Sequence, residues 1–224
     1  FLNLSVKKTI LILLSVLPFY FISAQESDFG NWLIYIGNKK INSKLNFHHE
    51  IQYRNYNSVG DLEQLLMRTG IGYNLTKSNN NLLLGYGFIA SQNYDSLGEK
   101  TGVNEHRIFQ QFITKQNSGR FFWGHRYRFE QRFIEENYKM RLRYFLNVRV
   151  PLNATALNPG TFYLSGYNEI FMDVEKDNAF DRNRLYGGIG YQIKKGIKVE
   201  MGYMNQFLSQ SNRDQFNVFL FAKF

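Results

Sequence analysis

Residues 121–150 read FFWGHRYRFEQRFIEENYKMRLRYFLNVRV. Before the break at 135–137, odd positions carry Phe121, Trp123, Tyr127, Phe129 and Phe133, and even positions carry Gly124, Arg126, Arg128, Glu130 and Arg132. After it the parity reverses. Met140, Leu142, Tyr144, Leu146, Val148 and Val150 are now even, while Arg141, Arg143, Asn147 and Arg149 are odd. Successive side chains of a strand point to opposite faces, so this pattern makes two strands, each apolar on one face and polar on the other. The connection between them is tight, which makes them an antiparallel hairpin. Two registers keep the polar faces together. One sets Glu130 opposite Arg143 and Arg132 opposite Arg141; the other sets Glu130 opposite Arg141 and Arg128 opposite Arg143.

The period recurs along the chain. Residues 45–54 set Leu45, Phe47, His49, Ile51 and Tyr53 against Asn46, His48, Glu50, Gln52 and Arg54. Residues 65–74 and 82–91 repeat it, and weaker versions occupy 104–116, 161–173, 184–193 and 197–207. The apolar run Trp32 to Ile36 opens the series and Phe216 to Phe224 ends it, giving eleven candidates. Bacterial single-chain barrels have an even strand number. The expected fold is therefore all-β: a single antiparallel transmembrane β-barrel of 10–12 strands, closed by pairing the first strand with the last. An even count needs either the 31–43 region not to be a strand of its own, or one strand more. Tight turns near 76–80, 117–120 and 194–196 alternate with longer polar loops near 94–103 and 174–182, as periplasmic turns and external loops do. The stretch 151–160, with Pro151 and Pro159, departs from that alternation.

Composition narrows the chemistry. The 224 residues are 17% aromatic, yet mean hydropathy is only −0.37, so apolar and polar residues are interleaved. There are no cysteines. That excludes a disulfide framework, a thiolate metal site, a thiol nucleophile and a lipoprotein anchor. Residues 1–24 read as a cleaved signal peptide: Lys7 and Lys8 are followed by the uncharged run Ile10 to Ile22 and the small residues Ser23 and Ala24. That run is shorter than the roughly 20 residues a spanning helix needs. Residues 25–224, from Gln25, are then the outer-membrane barrel domain, and the expected location is the outer membrane of a Gram-negative bacterium.

A soluble barrel also alternates, with its apolar face inside. Three features favour a membrane barrel. The polar face mixes Gly70, Gly72, Gly85, Gly87, Gly124, Gly188 and Gly190 with long arginines, a combination suited to a confined lumen. The apolar face is rich in rings that suit the boundary between membrane and water. Last, Phe216, Val218, Leu220, Ala222 and Phe224 form the alternating, aromatic-ended pattern of a C-terminal assembly signal. The bilayer and the barrel assembly machinery are thus expected partners.

The chain resembles the domain-of-unknown-function family numbered 2490, exported barrel-type proteins. The resemblance rests on Trp32-Leu33-Ile34-Tyr35, His49-Glu50-Ile51-Gln52-Tyr53-Arg54, Arg68-Thr69-Gly70-Ile71-Gly72-Tyr73 and Asn168-Glu169-Ile170-Phe171. It implies an envelope location and supplies no activity.

The sharpest local feature is a basic ladder, Arg126, Arg128, Arg132, Arg141, Arg143 and Arg149, with the single acid Glu130 among them. One carboxylate cannot neutralise six guanidinium groups. Either Glu50, Glu105, Glu169 and Glu200 cross from other strands to pair with them, or the lumen attracts anions. The first reading gives a structural or interaction barrel with a salt-bridged lumen and is preferred. The second gives a narrow anion-preferring channel for small acidic solutes or oligosaccharides. A lipid-modifying enzyme is a distant third. His48 and Glu50 share a face, but the inward Ser91 and Ser165 sit in no nucleophile motif, so no catalytic residue, cofactor or metal is assigned. The net charge of +9 at pH 7 would permit nucleic-acid binding, yet the basic residues recur at strand period, and no nucleic acid is expected as a partner. Lys100 and Lys176, near the loops, are candidates for contact with lipopolysaccharide phosphates.

Overall fold

A computed structural model describes residues 29–58, 60–77, 79–175, 179–209 and 211–224. The signal-peptide reading of 1–24 lies outside the described residues, as do Gln25 and Lys176. Eleven strands close into one barrel: β1 (Phe29–Lys40), β2 (Leu45–Asn55), β3 (Leu62–Asn74), β4 (Asn81–Tyr94), β5 (Lys100–Ser118), β6 (Phe121–Ile134), β7 (Asn137–Pro151), β8 (Phe162–Asp173), β9 (Phe180–Lys194), β10 (Ile197–Leu208) and β11 (Asn212–Lys223). The all-β barrel is as expected. The even count is not: β1 is a full strand, and eleven replaces ten or twelve.

Strand parity then fixes how the barrel shuts. Consecutive strands run antiparallel, so an odd number leaves β1 and β11 pointing the same way. They pair in parallel, from Phe29↔Asp214 to Asn38↔Lys223, and Phe224 N–H extends the seam by donating to Asn38 C=O at 2.9 Å. The reason is in both sequences. Trp32 to Ile36 and Val218 to Ala222 are apolar on both faces, the composition of parallel strands rather than of half-solvated antiparallel ones.

The connections do not alternate short and long as expected. One rim carries 41–44, 75–80, 119–120, 152–161 and 195–196; the other carries 56–61, 95–99, 135–136, 174–179 and 209–211. Each has both tight and longer links. These are called the first and second rim below.

The faces follow the alternation. Leu33, Ile51, Met67, Leu84, Ile108, Leu142, Ile189 and Met201 are exposed on the outside, while Glu50, Arg68, Glu105, Arg128, Glu130, Glu169 and Glu200 are buried inside. Charge is interior and apolar surface exterior, the inverse of a soluble domain. Glycine makes the interior possible at two points. The rings of Phe109 and Tyr163 lie where a Cβ on Gly85 or Gly190 would have to sit.

Candidate functional site

The β6–β7 hairpin sets the site. Its register places Glu130 opposite Arg141 and Arg128 opposite Arg143, the second of the two allowed arrangements. Glu130 is fully enclosed. Arg141 donates to its Oε2 through Nη2 at 2.6 Å and Nε at 3.1 Å, and Arg143 Nη1 donates to Oε1 at 2.5 Å. Arg128 stands at 3.4 Å, and Arg107 of β5 at 3.9 Å. Four guanidinium groups therefore converge on one carboxylate.

Carboxylates from other strands complete the neutralisation. Glu169 of β8 accepts from Arg126 at 2.7 Å and Arg143 at 2.5 Å, with Arg184 at 3.8 Å. Glu105 receives Arg132 through two bonds, of 2.6 and 2.9 Å, and also pairs with Arg107. Glu200 of β10 takes Arg149 across the lumen at 2.7 Å. Every arginine of the ladder thus has an acid partner. Glu50 departs from the expectation: it pairs with Arg68 at 2.5 Å, on the neighbouring strand, and not with the ladder.

Rings inside the barrel carry the rest, and alternation alone did not reveal them. Phe171, 1% exposed, lies beneath Arg143 at 4.4 Å, Arg184 at 4.6 Å and Arg141 at 5.1 Å. Arg128 covers Phe109 at 4.5 Å. Trp32 sits between Arg54 at 3.7 Å and Arg184 at 4.8 Å. Each such contact contributes about 0.5–2 kcal/mol, more when dry. Arg54 and Trp32 join the site only on closure, because they come from β2 and β1, whereas Arg184 stands opposite Glu169 in the β8–β9 pair. The inward parity of Arg54 is readable in the sequence; its meeting with Trp32 is not.

The lumen has two walls. Beside the charged side, Trp32, Ile34, Tyr186, Met204 and Phe219 form a buried apolar cluster along β1, β9, β10 and β11. Towards the second rim lie further ion pairs, Arg213 on Glu63 at 2.8 Å and Arg141 on Asp181 at 3.1 Å. A cavity of about 160 Å³ lies among Trp32, Arg54, Arg143 and Glu169, and a larger one of about 800 Å³ lies at the first rim.

The remaining sequence candidates fall apart as a group. His48 Nε2 stands 3.4 Å from Glu50, whereas Ser165 donates to Glu200 at 2.9 Å and Ser91 accepts from Gln64 at 2.7 Å. Lys100 is paired to Asp61 and donates to Leu62 C=O at 2.9 Å, beside the rings of Tyr56 and Tyr94. On β11, Phe216 and Leu220 are exposed, Val218 is half-buried and Ala222 is buried.

A family described as protein of unknown function (DUF2490) matches residues 29–217, which takes in β1 to β10 and half of β11. An uncharacterised protein of Methylorubrum extorquens is 30% identical over 168 residues, covering 70% of this chain and 69% of the relative. No solved structure matches. The family match spans the charged hairpin, Glu50, Glu105, Glu130, Glu169 and Glu200, and the whole β1 side of the parallel seam, and the chain belongs to the DUF2490 family of proteins of unknown function.

Proposed function

We propose that the protein is an integral barrel of the outer membrane whose lumen is plugged by its own ion pairs, and that it serves as a structural or interaction barrel rather than a conduit. The observation that carries this is the enclosure of Glu130 by Arg107, Arg128, Arg141 and Arg143. An open pore presents its charges to water; here the central carboxylate has no exposure. The membrane part of the reading rests on the exterior. Only a closed barrel or a helix satisfies its backbone in hydrocarbon, and large apolar side chains such as Leu33, Ile51, Leu84, Leu142 and Met201 are exposed on the outside. Purified, folded protein inserted in planar bilayers is expected to give no stepwise conductance. Steady anion-selective steps from unaltered protein would replace the plugged barrel with the anion channel.

A further inference from the structure

The cavity at the first rim has a lining unlike the rest of the lumen. Lys115, Arg126, Arg149, Lys195, Lys198 and Lys223 converge on it, and no carboxylate is among its lining residues. Arg126 is committed to Glu169, while Arg149 and Lys198 share Glu200, at 2.7 and 3.4 Å. Lys115, Lys195 and Lys223 have no acid partner among the described residues. The positive excess therefore sits at the mouth.

Deeper in, the wall changes. Ile36, Phe145 and Phe221 line it, and the rings fix the cations: Arg126 lies over Phe145 at 4.5 Å, Lys198 over Phe221 at 4.5 Å and Arg149 over Phe221 at 5.4 Å. Asn147 faces the same space. It is 8% exposed, and its Nδ2 has no hydrogen-bond partner. A buried amide N–H without an acceptor costs about 1–3 kcal/mol, so it marks a place where an acceptor is wanted. The smaller cavity shares Ile36, Arg126, Phe145, Asn147 and Arg149 with this one and reaches Trp32 and Phe219.

We infer that this vestibule is a binding site for a phosphate monoester carrying an apolar group, with the phosphate at Lys115, Lys195 and Lys223 and the apolar part against Ile36, Phe145 and Phe221. A dianion matches three unneutralised lysines. The rings would be surplus for inorganic phosphate, and the lysines for an uncharged lipid tail.

The test is calorimetric titration of folded, full-length protein in an uncharged detergent with hexyl phosphate, inorganic phosphate and hexanol. Hexyl phosphate should bind saturably at one site, at least about tenfold tighter than either control, a difference of about 1.4 kcal/mol. The triple substitution Lys115→Gln, Lys195→Gln, Lys223→Gln should weaken it at least about tenfold, and added salt should weaken it too. Replacing exposed or rim lysines leaves the strand ladder intact, and unchanged heat-dependent gel mobility will verify folding. Absence of saturable binding, equal affinity for inorganic phosphate, or binding untouched by the triple substitution would each overturn the assignment. Conductance judges the plugged-barrel reading separately, so either can fail alone.

Discussion

At Glu130 a buried charge is tolerated because its neighbours leave it little else to do. Removing a carboxylate from water costs several kcal/mol, and only close, well-oriented cations return that. Arg141 and Arg143 do so at 2.6 and 2.5 Å. The converse follows: without Glu130, Arg128, Arg141 and Arg143 lose a shared counter-ion while they themselves stay buried. Glu130→Ala is expected to lower the unfolding free energy by about 3–5 kcal/mol. The measurement is a urea titration read by the gel shift between folded and unfolded barrel, and a loss under about 1 kcal/mol would contradict the hub. Adding Arg141→Met to Glu130→Leu should recover little of the loss, since Arg128, whose acid partner is Glu130, stays buried and unpaired. Much of this hub was legible from parity alone. The ladder, Glu130 and the need for Glu105, Glu169 and Glu200 all lie on inward positions. What parity does not contain is distance across the lumen, so it offers Glu50 to the ladder although Arg68, directly opposite on β3, reaches it first.

Among the strands, β1 shows no period of two over Trp32 to Ile36, and the reason is physical. Trp32 to Ile36 lacks alternation because both of its faces meet apolar surroundings: Leu33 outside, Trp32 and Ile34 against the inner cluster. The same holds for the end of β11, where Phe219 faces in and Leu220 faces out. Two neighbouring strands without a polar face are the mark of a parallel pair. An even-strand rule hid that mark. The seam can be tested chemically, because the chain has no native cysteine. Leu33→Cys with Val218→Cys, and separately Tyr35→Cys with Leu220→Cys, should each form a disulfide under mild oxidation, since both pairs are in register. An antiparallel closure that joined the first pair would set Tyr35 opposite Phe216 instead. Cross-linking of one pair without the other would therefore refute the parallel seam.

For the molecule as a whole, the division of charge inside from apolar side chains outside governs where it can exist. Ile51 lies near the middle of β2 and is 49% exposed on the outer face. In a bilayer, Ile51→Arg should cost about 2–4 kcal/mol. The check is the folded fraction recovered in lipid vesicles; if Arg at this position is neutral there while the barrel folds, that strand does not face hydrocarbon. The odd strand number has one more consequence. β1 starts at the second rim and β11 finishes at the first, so the path of the backbone has a direction: it enters the cylinder at one mouth and leaves it at the other. A peptide joined ahead of Phe29 and one joined behind Phe224 would be held apart by the full length of the wall. In a bilayer, two reporters so placed should answer to reagents on opposite sides.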